Sequence, residues 1–359
     1  MLRLEARTRT PRALLLGAPL LAIAFTLVVS SLLVAWAGAP VGQAYALLLQ
    51  GGFGSRFALT ETLTRATPLI FTGLAAAVAF RARLYNIGAE GQLYLGALAA
   101  VAVGGLHGSG GSGFDGGPWL LLPLMMLAAA LAGAALLLVP ALLKTHYAVD
   151  EVVTTLLLNF IVLLLVGAML DGAMKDPGAM GWPQSVAIQD ALLLDKLVPR
   201  SRVHTGLLLA LACAAALWAL LRFTTHGFEM RAVGSGARAA AFAGMPVGRV
   251  TVKVALLSGA LAGLAGAVEV AGRAGYVTLD MSPGYGYSGI VIAMLAALHP
   301  LGVVAAAIFV AGILVGADSM SRAVGVPTYI ADVIVAVALI AVLVATLFTQ
   351  YRLRWARTR

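Results

Sequence analysis

Glycine, proline and charged clusters divide this chain into apolar runs about as long as a bilayer is thick, and that pattern constrains the fold more than any motif. A helix needs about 20 apolar residues to cross the hydrocarbon core. Ten runs approach or meet that length: residues 13–37, 66–80, 88–105, 119–143, 152–170, 205–221, 252–272, 287–298, 301–317 and 328–349. In lipid the backbone must satisfy its own hydrogen bonds, so such runs are read as helices. With 61% apolar and 11% charged residues and a mean hydropathy of +0.97, a soluble fold would have too little polar surface to cover itself. The expectation is an all-α integral membrane protein with about ten transmembrane helices, one polytopic domain over residues 1–359. Soluble enzymes and nucleic-acid-binding modules are excluded as classes, and the surrounding partner is membrane lipid.

The first run outlasts the apolar core of a secretory signal, which spans about 7 to 15 residues, so it reads as a retained helix. Runs eight and nine meet at His299-Pro300 and could instead form one interrupted element. In the ten-span arrangement sixteen of the 24 Lys and Arg residues fall on one side. Positive charge marks the cytoplasmic side, which puts both termini there. The single cysteine, Cys213, lies in an Ala/Leu run, excludes a disulfide within the chain, and reads as a small apolar filler.

Several chemistries are missing from the sequence. None of Lys144, Lys175, Lys196 and Lys253 follows a glycine, so the Gly-Lys-Ser/Thr of a P-loop is lacking and ATP must be handled elsewhere. The five histidines show no metal-binding spacing. No metal site, cofactor or catalytic residue is expected. Carboxylates such as Glu61 and Glu269 sit near the ends of runs, whereas a proton-driven carrier needs an ionisable relay across the membrane. A secondary transporter fits the hydropathy but lacks that relay, and the balance favours a neutral solute moved by an external energy source.

The deep polar groups are neutral. Glu151, Thr155 and Asn159 recur at i, i+4 and i+8 on one stripe of a Val/Leu-rich helix. That stripe could bond a neighbouring helix or line an aqueous path. In NIGAEGQ (residues 86–92), Asn86, Glu90 and Gln92 are interleaved with glycines. It could be a polar turn, or a helix break presenting side chains to a solute. A faint echo links Thr72-Gly73-Leu74-Ala75 ahead of NIGAEGQ with Ser258-Gly259-Ala260-Leu261 ahead of SPGYGYS (residues 282–288). In the ten-span arrangement the two copies face opposite ways, as an inverted repeat would, although Ala/Gly/Leu-rich helices also resemble one another by chance. Gly259, Gly263 and Gly266 form a small face suited to close helix packing. Tyr285 and Tyr287 could stack a base at a path entrance or serve as interface tyrosines.

Four separate segments, RARLYNIGAEGQLYLGALAA (81–100), DEVVTTLLLNF (150–160), MKDP (174–177) and SPGYGYSGI (282–290), resemble the permease subunits of bacterial ABC importers. The resemblance is to the branched-chain amino acid permease superfamily, nearest its nucleoside and simple-sugar branch. It implies a non-catalytic, multi-pass subunit of the bacterial cytoplasmic (inner) membrane. It also implies three kinds of partner: a cytoplasmic ABC ATPase, a second, homologous permease chain, and an extracellular substrate-binding lipoprotein. Residues 227–248 resemble the segment forming the ATPase-coupling helix, with Arg238, Ala239, Ala240 and Gly244 as its contacts, although Gly236-Ala237 replaces the family's usual Asn-Pro. The substrate path would be lined by Asn86, Glu90, Gln92, Thr155, Asn159, Tyr285 and Tyr287. A purine nucleoside is the expected solute, with a simple sugar or a branched-chain amino acid as the alternatives.

Overall fold

A computed structural model describes residues 2–6, 11–105, 117–325 and 351–355, and within 330–345 residues 330, 333, 336–338, 340–341 and 344–345. Almost every described element is helical. The exception is an antiparallel pair of short strands, β1 (Leu2–Ala6) and β2 (Tyr351–Trp355). Six helices are long and apolar enough to cross a membrane, or seven if a bent pair counts as one span. The tenth expected run, 328–349, lies largely outside the described residues.

The chain divides into two compact units. The first comprises residues 1–62 and 309–359. It holds α1 (Arg12–Trp36), α2 (Val41–Phe53), the start of α3 (Arg56–Arg81) and most of α12 (Pro300–Val324). Helix α2 was not among the ten expected runs, because its 13 residues are too few to cross a bilayer. It turns by 116° from the second half of α1. A cluster of Val34, Ala39, Ala44, Ala317 and Met320 forms this unit's core. Thr62 donates from its hydroxyl to the Gly52 carbonyl at 2.8 Å, tying α3 back to α2.

The second unit, residues 63–308, carries the rest of α3 with α4 (Ala89–Gly104), α5 (Pro118–Tyr147), α6 (Glu151–Asp171) and α7 (Gly206–Phe223). It continues with α8 (Thr225–Ser235), α9 (Ala237–Phe242), α10 (Val247–Glu269), which ends in one π-helical turn (Val270–Ala274), and α11 (Tyr285–Leu295). Helix α10 is its centre and is buried along most of its length. Its small face packs as the sequence suggests: a Cβ on Gly263 would collide with the Ala129 carbonyl of α5, and one on Gly266 with the Leu93 carbonyl of α4. Bare backbones therefore touch at both crossings. Helices α11 and α12 are separate, since positive φ values at Ala297 and Leu298 end the first before His299-Pro300.

The 172–205 connection folds over one end of this unit. Ser185 donates from its backbone to the Val277 carbonyl, and Leu194 to that of Ala271. His204 is 1% exposed, its ring lying against the bare Cα atoms of Gly206 and Gly272, and among the described residues its buried Nδ1 has no partner. Burial pushes the imidazole down from the ordinary 6.5 to about 4. Between those values the unfolded chain takes up a proton that the folded chain refuses. Stability is therefore intact above pH 6.5 and lost progressively as the pH falls toward 4, by up to about 3 kcal/mol. Thermal melts at pH 7 and pH 4 should show a smaller acid-induced drop for His204→Gln than for the parent chain. Equal drops would remove His204 as the cause.

Candidate functional site

In the second unit two helices start deep inside the fold instead of at its surface. After α3 ends, residues 84–87 run without helical structure before α4 begins at Ala89. After the π turn, residues 275–284 do the same before α11 begins at Tyr285. Asn86 bonds Ser258, which is eleven residues along α10 and so about 16 Å from its start. NIGAEGQ is thus a helix break and not a surface turn.

The two breaks hold each other. Ser258 of α10 donates to the Ala75 carbonyl at 2.8 Å and accepts from the Asn86 amide at 3.1 Å, steadying the first break. Thr72 of α3 donates to the Tyr285 carbonyl at 2.9 Å, steadying the second. These are the Thr72-Gly and Ser258-Gly copies of the sequence echo, each serving the other's broken segment. The segments also run in opposite directions. Helix α4 rises toward the 172–205 connection, with Gly104 beside Ile188 and Leu192. Helix α11 descends to the other end, where the Leu298 carbonyl just beyond it accepts from Arg81 at 2.7 Å.

Between the two helix N-termini sits Glu90, 4% exposed. Its carboxylate accepts from the Gly286 backbone at 2.6 Å, with Ser282 and Gly284 beside it. A helix N-terminus leaves N–H groups unpaired and carries partial positive charge. The Glu90 carboxylate answers the α11 end, and Asn159 answers the α4 end through the Gly91 backbone. Gly286 is required there, because a Cβ would strike the Glu90 backbone.

The stripe on α6 supports the same break. Asn159 accepts from the Gly91 backbone at 2.9 Å and donates to the Ile87 carbonyl at 2.9 Å and to the Tyr287 hydroxyl at 3.2 Å. Thr155 accepts from the Ile87 backbone at 3.3 Å, while Asn86 and Gln92 exchange two amide bonds at 2.9 Å. All seven expected path residues therefore meet around one pair of breaks. Asn86, Gln92, Thr155, Asn159 and Tyr285 are fully buried, and Tyr287 is 40% exposed. Glu151 caps the arrangement, bonding the Tyr85 backbone and pairing with Lys144 at 2.5 Å. The sequence reading treated neither Lys144 nor Ser282 as part of this network; the Asp-Glu opening of α6 was the available signal for the first.

The expected coupling segment is a pair of short helices, α8 and α9, joined at Gly236. Arg238 and Ala239 are exposed, and Gly244 adopts a φ of +83° that closes the turn after α9. Ala240, expected on an outward small face, is 4% exposed and packs inward, whereas Phe242 is 97% exposed. Among the described residues no group of His, Cys, Asp and Glu could hold a metal ion.

A family model described as the branched-chain amino acid transport system permease component matches residues 58–343. The chain belongs to this permease family. The permease is 36% identical to a guanosine ABC transporter permease protein of Bacillus subtilis, over 90% of this chain and 91% of the relative. It is 38% identical to a glucose ABC transporter permease protein of Haloferax volcanii, over 98% and 93%, and 28% identical to a nucleoside ABC transporter permease protein of Lactococcus lactis, over 89% and 88%. Family and apolar helices together make it a multi-pass membrane permease, the transporting and not the ATP-hydrolysing kind of subunit.

Proposed function

We propose that this permease forms the membrane path of an ATP-driven importer for a neutral polar solute, a purine nucleoside in the first instance. The observation that carries this is the pair of opposed half-helices meeting deep in the fold. Their only buried carboxylate, Glu90, is engaged by backbone donors, and the remaining polar groups are amides and hydroxyls. Such groups suit ribose hydroxyls and base edges. Asn86, Glu90, Gln92, Thr155, Asn159 and Tyr285 shape the break, and Tyr287, the most exposed of the seven, meets the solute. The guanosine and nucleoside permeases among the relatives support a nucleoside, and the glucose permease keeps a simple sugar as the second reading.

The path crosses the bacterial cytoplasmic membrane about ten times with both termini inside. Pairing of β1 with β2 supports a shared side for the termini. The partners are a cytoplasmic ABC ATPase, a second permease chain and an external substrate-binding lipoprotein. Residues 227–248 couple to the ATPase through Phe242 with Arg238, Ala239 and Gly244, while Ala240 holds α9 against its own chain. Phe242→Asp should lower uptake about tenfold or more, as expected for losing an aromatic anchor, without changing the melting temperature. Unchanged uptake would remove α9 from coupling.

The solute is tested in cells carrying the complete assembly, by competing labelled guanosine uptake with unlabelled guanosine, glucose or leucine. Guanosine alone should compete strongly. Inhibition by glucose with none by guanosine would transfer the reading to sugars, and inhibition by leucine alone would overturn both.

A further inference from the structure

We propose that the end of the second unit carrying α8 holds a binding site for an anionic phospholipid headgroup, in the cleft between α5 and α10. A cavity of about 500 Å³ opens there, lined by Thr145 and His146 from the last turn of α5 and by Gly248, Arg249, Val252 and Lys253 from the first turns of α10. Its charge is one-sided. Among the described residues no carboxylate pairs with Arg249 or Lys253, whose nearest polar contact is His226 Nδ1, 3.3 Å from the lysine Nζ. Glu229 stands 3.5 Å from the same histidine nitrogen and is paired with it, not with either cation. Lys144, one turn away, is already taken up by Glu151. Nor does the first turn of α10 carry an acidic residue, although a helix N-terminus favours negative charge. Two cations gathered there without a counter-charge repel one another until an anion joins them.

The walls select the source of that anion. They are mostly apolar, made by Val252 and the aliphatic stems of Lys253 and Arg249, so the cleft offers a charged rim above a greasy side. A free phosphate uses only the rim; a phospholipid uses both. The cleft also lies where two helices long and apolar enough to cross a membrane meet end to start, on the side that the excess of basic residues marks as cytoplasmic and where anionic lipids attract Lys and Arg. Because Lys253 reaches His226 on α8, an occupied cleft braces α8, the first helix of the segment proposed to couple to the ATPase. That last consequence rests on the proposed function; the lipid site does not.

The test uses the purified full chain in detergent, with thermal shift and native mass spectrometry as readouts. The probes are short-chain phosphatidylglycerol, short-chain phosphatidylcholine and inorganic phosphate. Phosphatidylglycerol should bind and raise the melting temperature, while phosphatidylcholine does not. The double variant Arg249→Gln, Lys253→Gln should weaken that response about tenfold or more, with Arg200→Gln as the control that leaves it unchanged. Val252→Trp fills the apolar wall without touching charge and should weaken it too, and melts without lipid confirm that each variant folds. Equal binding by parent and double variant would overturn the site. A response to inorganic phosphate matching that to phosphatidylglycerol would overturn the lipid assignment. Loss of ATPase retention in the double variant with lipid binding unchanged would give the cations to the partner protein instead.

Discussion

Glu90→Leu should reduce uptake by a hundredfold or more and lower the melting temperature with it. The carboxylate accepts from the Gly286 backbone at 2.6 Å, with Ser282 and Gly284 beside it, at the point where two half-helices start. Leucine fills the volume and accepts nothing. A buried donor left unpaired costs about 1 to 3 kcal/mol, and about 3 kcal/mol for the short bond to a charged acceptor lost here is a factor of about a hundred. That is a large share of the 5 to 15 kcal/mol typical of a folded domain. Glu90→Gln separates charge from geometry, since its amide oxygen can still accept from Gly286. It should fold nearly as well as the parent but lose the charge that answers two helix dipoles, giving an intermediate uptake defect. Uptake per folded molecule and a melt for each variant make the comparison. Parent-like uptake by the leucine variant would show that the two breaks do not depend on this carboxylate.

Gly263→Leu should leave little folded protein at all. The Cβ of any residue there meets the Ala129 carbonyl on one side, with the Gly133 Cα 3.2 Å away, while the Gly263 backbone itself is the surface that Gly96 packs on. A clash with a flexible side chain can be relieved by a rotamer change, but this one is with the backbone of α5 at Ala129 and Gly133. Relief requires α10 to move away from α5, which surrenders the contacts at Gly259 and Gly133 as well. Overpacking of a rigid core costs about 1 to 3 kcal/mol per site, and here the strain falls on two crossings of the central helix. Gly42→Leu makes the same chemical change where nothing lies within 4 Å and should be nearly silent. Yield of monodisperse protein from matched membranes measures both. A normal yield of Gly263→Leu would mean that the crossings can open without loss.

Much of this fold is legible from periodicity because lipid imposes one rule on every crossing. A run of about 20 apolar residues must close its own hydrogen bonds, and α3, α5, α6, α7, α10 and α12 all stand on such runs. Helix α2 escaped because a thirteen-residue apolar segment is equally compatible with a loop or a re-entrant turn. The small face of α10 was readable for the same local reason: only glycine and alanine let backbones approach. Ala240 and Phe242 were not readable, since which face of a six-residue helix turns inward depends on what it packs against.

The clustering of Asn86, Glu90, Gln92, Thr155, Asn159, Tyr285 and Tyr287 shows where sequence and tertiary structure divide the work. From the sequence, these polar residues border or interrupt apolar runs, and any of them that is buried must find a partner. The class is legible there as well, through motifs whose polar residues interrupt otherwise uniform helices. Only the tertiary structure decided the pairing. The donors of Gly286 and the carboxylate of Glu90 are 196 residues apart, and Thr72 reaches Tyr285 across 213. Nothing local distinguishes a carboxylate that meets solute from one that meets a second helix end. That choice belongs to the crossing of α4, α10 and α11, where Glu90 takes up the backbone that opens α11 while Asn159 takes up the backbone that opens α4.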